Sequence, residues 1–226
     1  MRQLRGVLCV FSVLVMGFCL TLPSGPAQAE MYAAGQIGVT LPNDFTNVEG
    51  TGPLTGVNIS DQSLQNSFMY GAKFGYYFDA VKWLGVETEV FNTNPNLKQQ
   101  NVTASGPGGS VTFTNSGSNV RVLNWSPITV LVRYQAGQFE PYAGVGMGVY
   151  FARLSSGGES TSDTNVGLNT QLGLRYKITQ NLAVFGEWKY NRAHLNFDLS
   201  TPNGNVGGFK GDYSANILAF GVGYHF

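Results

Sequence analysis

Residues 213–226 read YSANILAFGVGYHF. Taken in steps of two from the C-terminus, Phe226, Tyr224, Val222, Phe220 and Leu218 are all apolar or aromatic. The residues between them, His225, Gly223, Gly221, Ala219 and Ile217, are mostly small. A period of two with unlike faces marks a β-strand, because successive side chains of an extended chain point to opposite sides. One face of this strand is greasy, and the other fits a crowded interior.

The same alternation recurs upstream. It predicts strands over residues 31–40, 67–78, 83–93, 120–134, 139–152, 165–177 and 182–191, which with 213–226 makes eight. Pro127 interrupts one of them, and proline cannot donate to a ladder. A bulge is therefore expected at Ser126–Pro127, with residues 120–126 standing above the membrane or belonging to a loop. Residues 41–66, 94–119, 153–164 and 192–212 are rich in Gly, Asn, Ser, Thr and Asp and read as long loops, whereas 79–82, 135–138 and 178–181 are short. Long and short connections alternate, with both ends of the strand set on the short side. That sorting matches transmembrane β-barrels, whose turns are short on one side of the membrane and long on the other.

Charge placement decides the class. The greasy faces of the eight strands carry no charged residue. The opposite faces carry Lys73, Glu87, Glu89, Arg133, Glu140, Arg175, Lys177, Glu187 and Lys189. A soluble barrel would put its apolar face inside. Here that face must meet lipid, where a Lys or Arg at mid-depth costs about 2–4 kcal/mol. Strands can cross lipid only as a closed barrel that pairs every backbone group, so the last strand must pair with residues 31–40. Eight strands leave a bore that side chains fill. The nine inward charges are thus expected to pair, with Lys73 opposite Glu87, Glu89 nearby, and Arg133 near Glu140. Their structural reading is an ion-pair network; their functional reading is a gated polar conduit.

The chain resembles the eight-stranded outer-membrane β-barrel superfamily, related to the transmembrane domain of outer-membrane protein A and the opacity proteins. The resemblance rests on YAAGQIGV, WLGVETEVF, RYQAGQFEPYAGVGMGVYF and the terminal FGVGYHF. It implies an all-β, antiparallel, up-and-down transmembrane barrel with long extracellular loops and short periplasmic turns. It also implies that Leu218, Phe220, Val222, Tyr224 and Phe226 form a C-terminal signal read by the barrel-assembly machinery. Two-domain members add a peptidoglycan-binding domain; no sequence for one follows Phe226, so cell-wall anchoring is not expected.

The N-terminus carries Arg2 and Arg5, then an apolar run to Leu22, then Ala27-Gln28-Ala29. This reads as a secretory signal peptide over residues 1–29, cleaved after Ala29, with the barrel domain at 30–226 in the cell outer membrane. The run is short for a transmembrane helix. Phe18 before Cys19 argues against a lipoprotein signal. Both cysteines, Cys9 and Cys19, lie in this leader, so disulfides and thiolate metal sites are not expected beyond it. Charged residues are 12% of the chain and balance to zero net charge. No basic patch points to nucleic acid.

Other motifs carry little chemistry. The glycines of residues 144–149, GVGMGV, alternate within a strand and precede no helix, so lumen packing explains them better than a nucleotide loop. His194 precedes Asn196 where a deacylase pattern wants Ser, with Asp198 and Ser200 on an expected loop. Neither His194 nor His225 has a metal-ligand companion spacing. Tyr70, Tyr134, Tyr176, Trp188, Tyr190, Tyr224 and Phe226 suit interfacial girdles. Acidic loop residues such as Asp44, Asp61 and Asp163 read as solvated surface. The expectation is a monomer without cofactor, not an enzyme, in contact with outer-membrane lipid and lipopolysaccharide. Its reading is a structural or surface-interaction role through the loops. A narrow channel for small or hydrophobic solutes is the alternative, and a lipid-modifying enzyme the third.

Overall fold

The computed structural model describes residues 30–156, 159–201 and 204–226. The signal peptide expected over residues 1–29 lies outside them. Among the described residues twelve strands occur in order: β1 (Glu30–Pro42), β2 (Thr46–Thr51), β3 (Asn58–Ile59), β4 (Ser67–Phe78), β5 (Val81–Thr93), β6 (Gln100–Gly106), β7 (Gly109–Asn115), β8 (Asn119–Arg133), β9 (Phe139–Ser156), β10 (Glu159–Lys177), β11 (Leu182–Thr201) and β12 (Gly204–His225). Eight of them form a closed antiparallel ring, β1-β4-β5-β8-β9-β10-β11-β12, which β12 closes onto β1 from Tyr32↔His225 to Pro42↔Ala215. The Phe226 amide adds a last hydrogen bond to the Met31 carbonyl at 2.9 Å. Closure removes both sheet edges, the condition for crossing lipid.

The faces fall as the alternation requires. Ile37, Phe68, Ile128, Met147, Phe220 and Val222 are outward and exposed, whereas Leu131, Ala183 and Ala219 are buried in the bore. Across the lipid belt no described outward residue is charged. Tyr134, Tyr176, Tyr224 and Phe226 mark its lower rim, and Tyr70 and Trp188 face outward nearer the upper one.

A bulge does sit at Ser126–Pro127: the ladders on both sides skip there, between Trp125 and Ile128 on one side and opposite Glu87 and Glu89 on the other. It also reverses the strand's phase. Below it Thr129, Leu131 and Arg133 point inward; above it Ser126, Asn124, Val122 and Val120 do. Residues 120–126 are thus the upper part of β8.

The long loops are largely strand. β11 and β12 have 20 and 22 residues, about twice what a tilted strand needs to cross lipid. They pair out to Thr201↔Gly204, and β9 pairs with β10 out to Ser156↔Glu159. Of the segments expected as loops, 41–66 contributes β2 and β3, and 94–119 contributes β6 and β7. These extend the sheet from β12 in the order β2-β3-β6-β7. The wall of the barrel therefore continues above the membrane and encloses a cup.

Deleting Phe226 removes the last ladder bond and an outward aromatic at the rim. The amount of folded protein in the membrane is expected to fall several-fold. Normal membrane levels of the truncated chain would contradict a role for this residue in assembly.

Candidate functional site

The bore below the cup is packed with charge. Lys73, Glu87, Glu89, Arg133, Glu140, Arg175, Glu187 and Lys189 are buried, and Lys177 is half-buried. At the periplasmic end Arg133 (β8) lies 3.5 Å from Glu140 (β9), and Arg175 and Lys177 (β10) reach the same carboxylate at 3.5 and 2.8 Å. Higher up, Glu187 (β11) is held by Lys73 (β4), by Lys189 at 3.0 Å and by the Tyr142 hydroxyl at 2.5 Å. Lys189 also bonds Glu89 (β5). β11 and β5 are four places apart in a ring of eight, so that pair crosses the bore between opposite walls. Gln171 (β10) donates to Glu87 (β5) at 2.8 Å, and Tyr32 (β1) donates to the same carboxylate. Arg175 stacks over the Tyr32 ring with its central carbon 4.4 Å from the centroid.

Two details differ from expectation. Lys73 is the ladder partner of Glu89, not of Glu87, because the hairpin carries an irregularity between Tyr77 and Phe78 that shifts the register. The Lys73 ammonium still lies 3.5 Å from Glu87. The network also includes Glu30, which the sequence placed only as the start of the barrel domain. It pairs with Arg133 at 2.6 Å, Lys177 at 3.2 Å and His225 at 2.7 Å. With Glu30 included, the five lysines and arginines meet five carboxylates, so the bore closes as a neutral lattice. That neutrality matters, since a buried charge without its partner costs several kcal/mol.

The inward glycines serve this packing. A Cβ at Gly148 would stand 2.5 Å from the Asn169 amide and 2.6 Å from Asn124. Asn124, Ser126 and Asn169 form the polar layer above the ions, joined by the 2.9 Å bond from Asn169 to Asn124. The nucleotide-loop alternative has no support in this geometry.

Beside that layer, Met69, Phe91 and Ile217 form a small buried apolar cluster on β4, β5 and β12, with Phe91 the ladder partner of Asn124. Over it, Val120, Val122, Leu154, Leu195 and Phe197 from the tall strands meet Phe45, Val48 and Leu64 from the first loop region. All of these but Val122 line a cavity of about 310 Å³ whose lining is almost wholly apolar, with Phe209 and Leu97 also on its wall. Phe209 packs against Phe197 at 5.4 Å and edge-on against Phe45 at 6.3 Å. The volume lies at the low end for small-molecule sites, which are typically apolar and concave. The alternation on β9 and β11 could have revealed Leu154, Leu195 and Phe197, had it been followed past Ala152 and Asn191.

The first loop region is tied to the wall outside the cup. Asp212 (β12) accepts from Asn47 (β2) at 2.9 Å, lies 3.0 Å from His194 Nδ1, and pairs with Arg192 at 3.3 Å. The Asn47 bond first, then those of His194 and Arg192, hold its carboxyl below the usual aspartate range. His194 is thus part of a brace, on the outer face of β11. The side chains of Asp198 and Ser200 lie outside the described residues. No group of three or more His, Cys, Asp or Glu side chains suited to a metal occurs among the described residues.

A closed eight-stranded sheet with an uncharged lipid belt and an ion-filled bore is a transmembrane β-barrel of the outer-membrane type. The chain belongs to the outer membrane protein beta-barrel domain family, whose model matches residues 11–226. Among solved structures it is similar to the outer membrane protein OprG from Pseudomonas aeruginosa, at 17% identity and TM-score 0.61, over 89% of this chain and 98% of that one. The outer membrane protein AlkL is similar at 17% identity and TM-score 0.56, over 91% and 94%. Neisserial surface protein A matches at 14% identity and TM-score 0.50, over 88% and 99%. These likenesses concern the fold alone. No curated protein matches the chain.

Proposed function

We propose that this outer-membrane barrel takes up a small apolar molecule in its extracellular cup, above a bore that its own ion pairs close. The observation that carries the reading is the cavity of about 310 Å³, walled by side chains such as Leu195, Phe197 and Phe209. Transferring apolar surface from water into such a cavity is favourable at roughly 25 cal/mol per Å². Without an occupant, the same walls would stand around water with few polar partners to hold it. The layer of Asn124, Ser126 and Asn169, and the ion lattice below it, favour uptake over aqueous conduction.

The test is uptake by the barrel in lipid nanodiscs of a small hydrocarbon such as toluene, read by saturation-transfer NMR. Saturable binding is expected in the wild type. Leu195→Asp, which puts a carboxylate on the cavity wall, is expected to weaken it at least about tenfold, the effect of losing roughly 1.4 kcal/mol. Equal uptake by both proteins would refute the reading.

A second reading, surface interaction, rests on β7. Among the described residues this strand ends the sheet with one edge unpaired, and its Val111 and Phe113 are 66% and 51% exposed. Such an edge is a template for another extended segment. Because Phe113 also lines the cup, Val111→Lys is the variant that separates this role from uptake.

A further inference from the structure

Arg121 on β8 and Arg153 on β9 are directly opposed in the ladder, and both are exposed on the outer face of the barrel. Like charges placed opposite each other destabilise a sheet unless something lies between them. Neither guanidinium has an ion-pair partner among the described residues. Each is nonetheless held in place by one neutral group. Arg121 Nε donates to the Asn92 side chain at 2.7 Å, and Arg153 Nη2 to the Ser160 hydroxyl at 3.0 Å. Their other N–H groups stay available. The two flank a recess of about 350 Å³ walled by Asn94, Asn96, Asn119 and Ser155, with no carboxylate in its lining.

The place of this recess fixes what it meets. One outward step below, Leu123 and Phe151 are again ladder partners and again exposed. They are the last apolar pair of the lipid belt on these two strands. The arginines point away from the bore and sit about 7 Å along the strands above that pair. Another outward arginine, Arg192 on β11, is already paired with Asp212.

We propose that Arg121 and Arg153 form a phosphate clamp for the headgroup of an outer-leaflet lipid. A phosphate between two guanidiniums removes their repulsion and accepts forked, charge-assisted hydrogen bonds, while the acyl chains of the same molecule lie on Leu123 and Phe151. The site commits to a phosphorylated lipid, because a free phosphate has no use for the apolar pair beneath.

The test uses the delipidated full-length barrel in detergent, incubated with lipid A or with the same lipid stripped of its phosphates. Retained lipid is read by native mass spectrometry. Wild type is expected to retain the phosphorylated form, and Arg121→Gln and Arg153→Gln each to retain about tenfold less. Arg192→Gln is expected to match wild type. The stripped lipid is expected to be retained no better by wild type than by the double variant. In wild type alone, retention is expected to fall as salt is raised, which keeps the test independent of whether the variants fold. Retention that ignores salt, or a double variant that holds as much phosphorylated lipid as wild type, would overturn the proposal. Displacement of the lipid by inorganic phosphate at the same concentration would also overturn it, making the recess a free-phosphate site.

Discussion

Glu187→Gln is expected to lower the unfolding free energy of the barrel by about 3–5 kcal/mol, the cost of breaking a buried ion pair from one side. Glu187 is buried and serves Lys73, Lys189 and the Tyr142 hydroxyl together. The neutral amide leaves the bore with one more positive charge than negative. Lys73 then depends on Glu87 at 3.5 Å, and Lys189 on Glu89 across the bore. Urea unfolding in lipid vesicles measures the change. Lys189→Met added to Glu187→Gln restores charge balance and is expected to recover a large part of the loss. A change below about 1 kcal/mol, the range of exposed pairs, would show that water reaches Glu187 and that the lattice is not sealed.

Phe220→Arg is the second large effect. Phe220 is 68% exposed, pairs with Ile37 and Gly186, and points into the lipid belt. An arginine there is expected to cost about 2–4 kcal/mol, depending on depth. Thr164→Arg, also outward but above Val166 on β10, is expected to cost less than about 1 kcal/mol, since near the interface the head is hydrated. The contrast, measured in the same vesicles, locates the belt. Equal costs at the two positions would mean that residue 220 does not face hydrocarbon.

Much of the barrel was legible because lipid imposes a strict rule on each strand. Alternation gave the eight spans and their faces, the ring closure, and the kink at Pro127. It failed where that rule lapses. Above the membrane the inner faces of β9, β11 and β12 stay apolar, as at Leu154, Leu195, Phe197 and Tyr213, but their outer faces turn polar and Asn-, Ser-, Gly- and Asp-rich, so these stretches read as loops. The cup was hidden for the same reason, since Phe45, Val48, Leu64 and Leu97 come from segments without periodicity. Arg121 escaped because the bulge reverses phase between it and Ile128. The Lys73 register missed by one pleat because a turn irregularity has no hydrophobic signature. In the sequence Glu30 marks only the start of the barrel domain, and its distances to Arg133, Lys177 and His225 reveal it as the fifth carboxylate.

The bore is closed by contacts that cross it, among them Lys189 to Glu89 and Gln171 to Glu87. Recording from the purified barrel in a planar lipid bilayer tests this closure most directly. The account predicts a stable baseline without discrete current steps across the usual voltage range. Reproducible single-channel steps in the wild-type protein would contradict it.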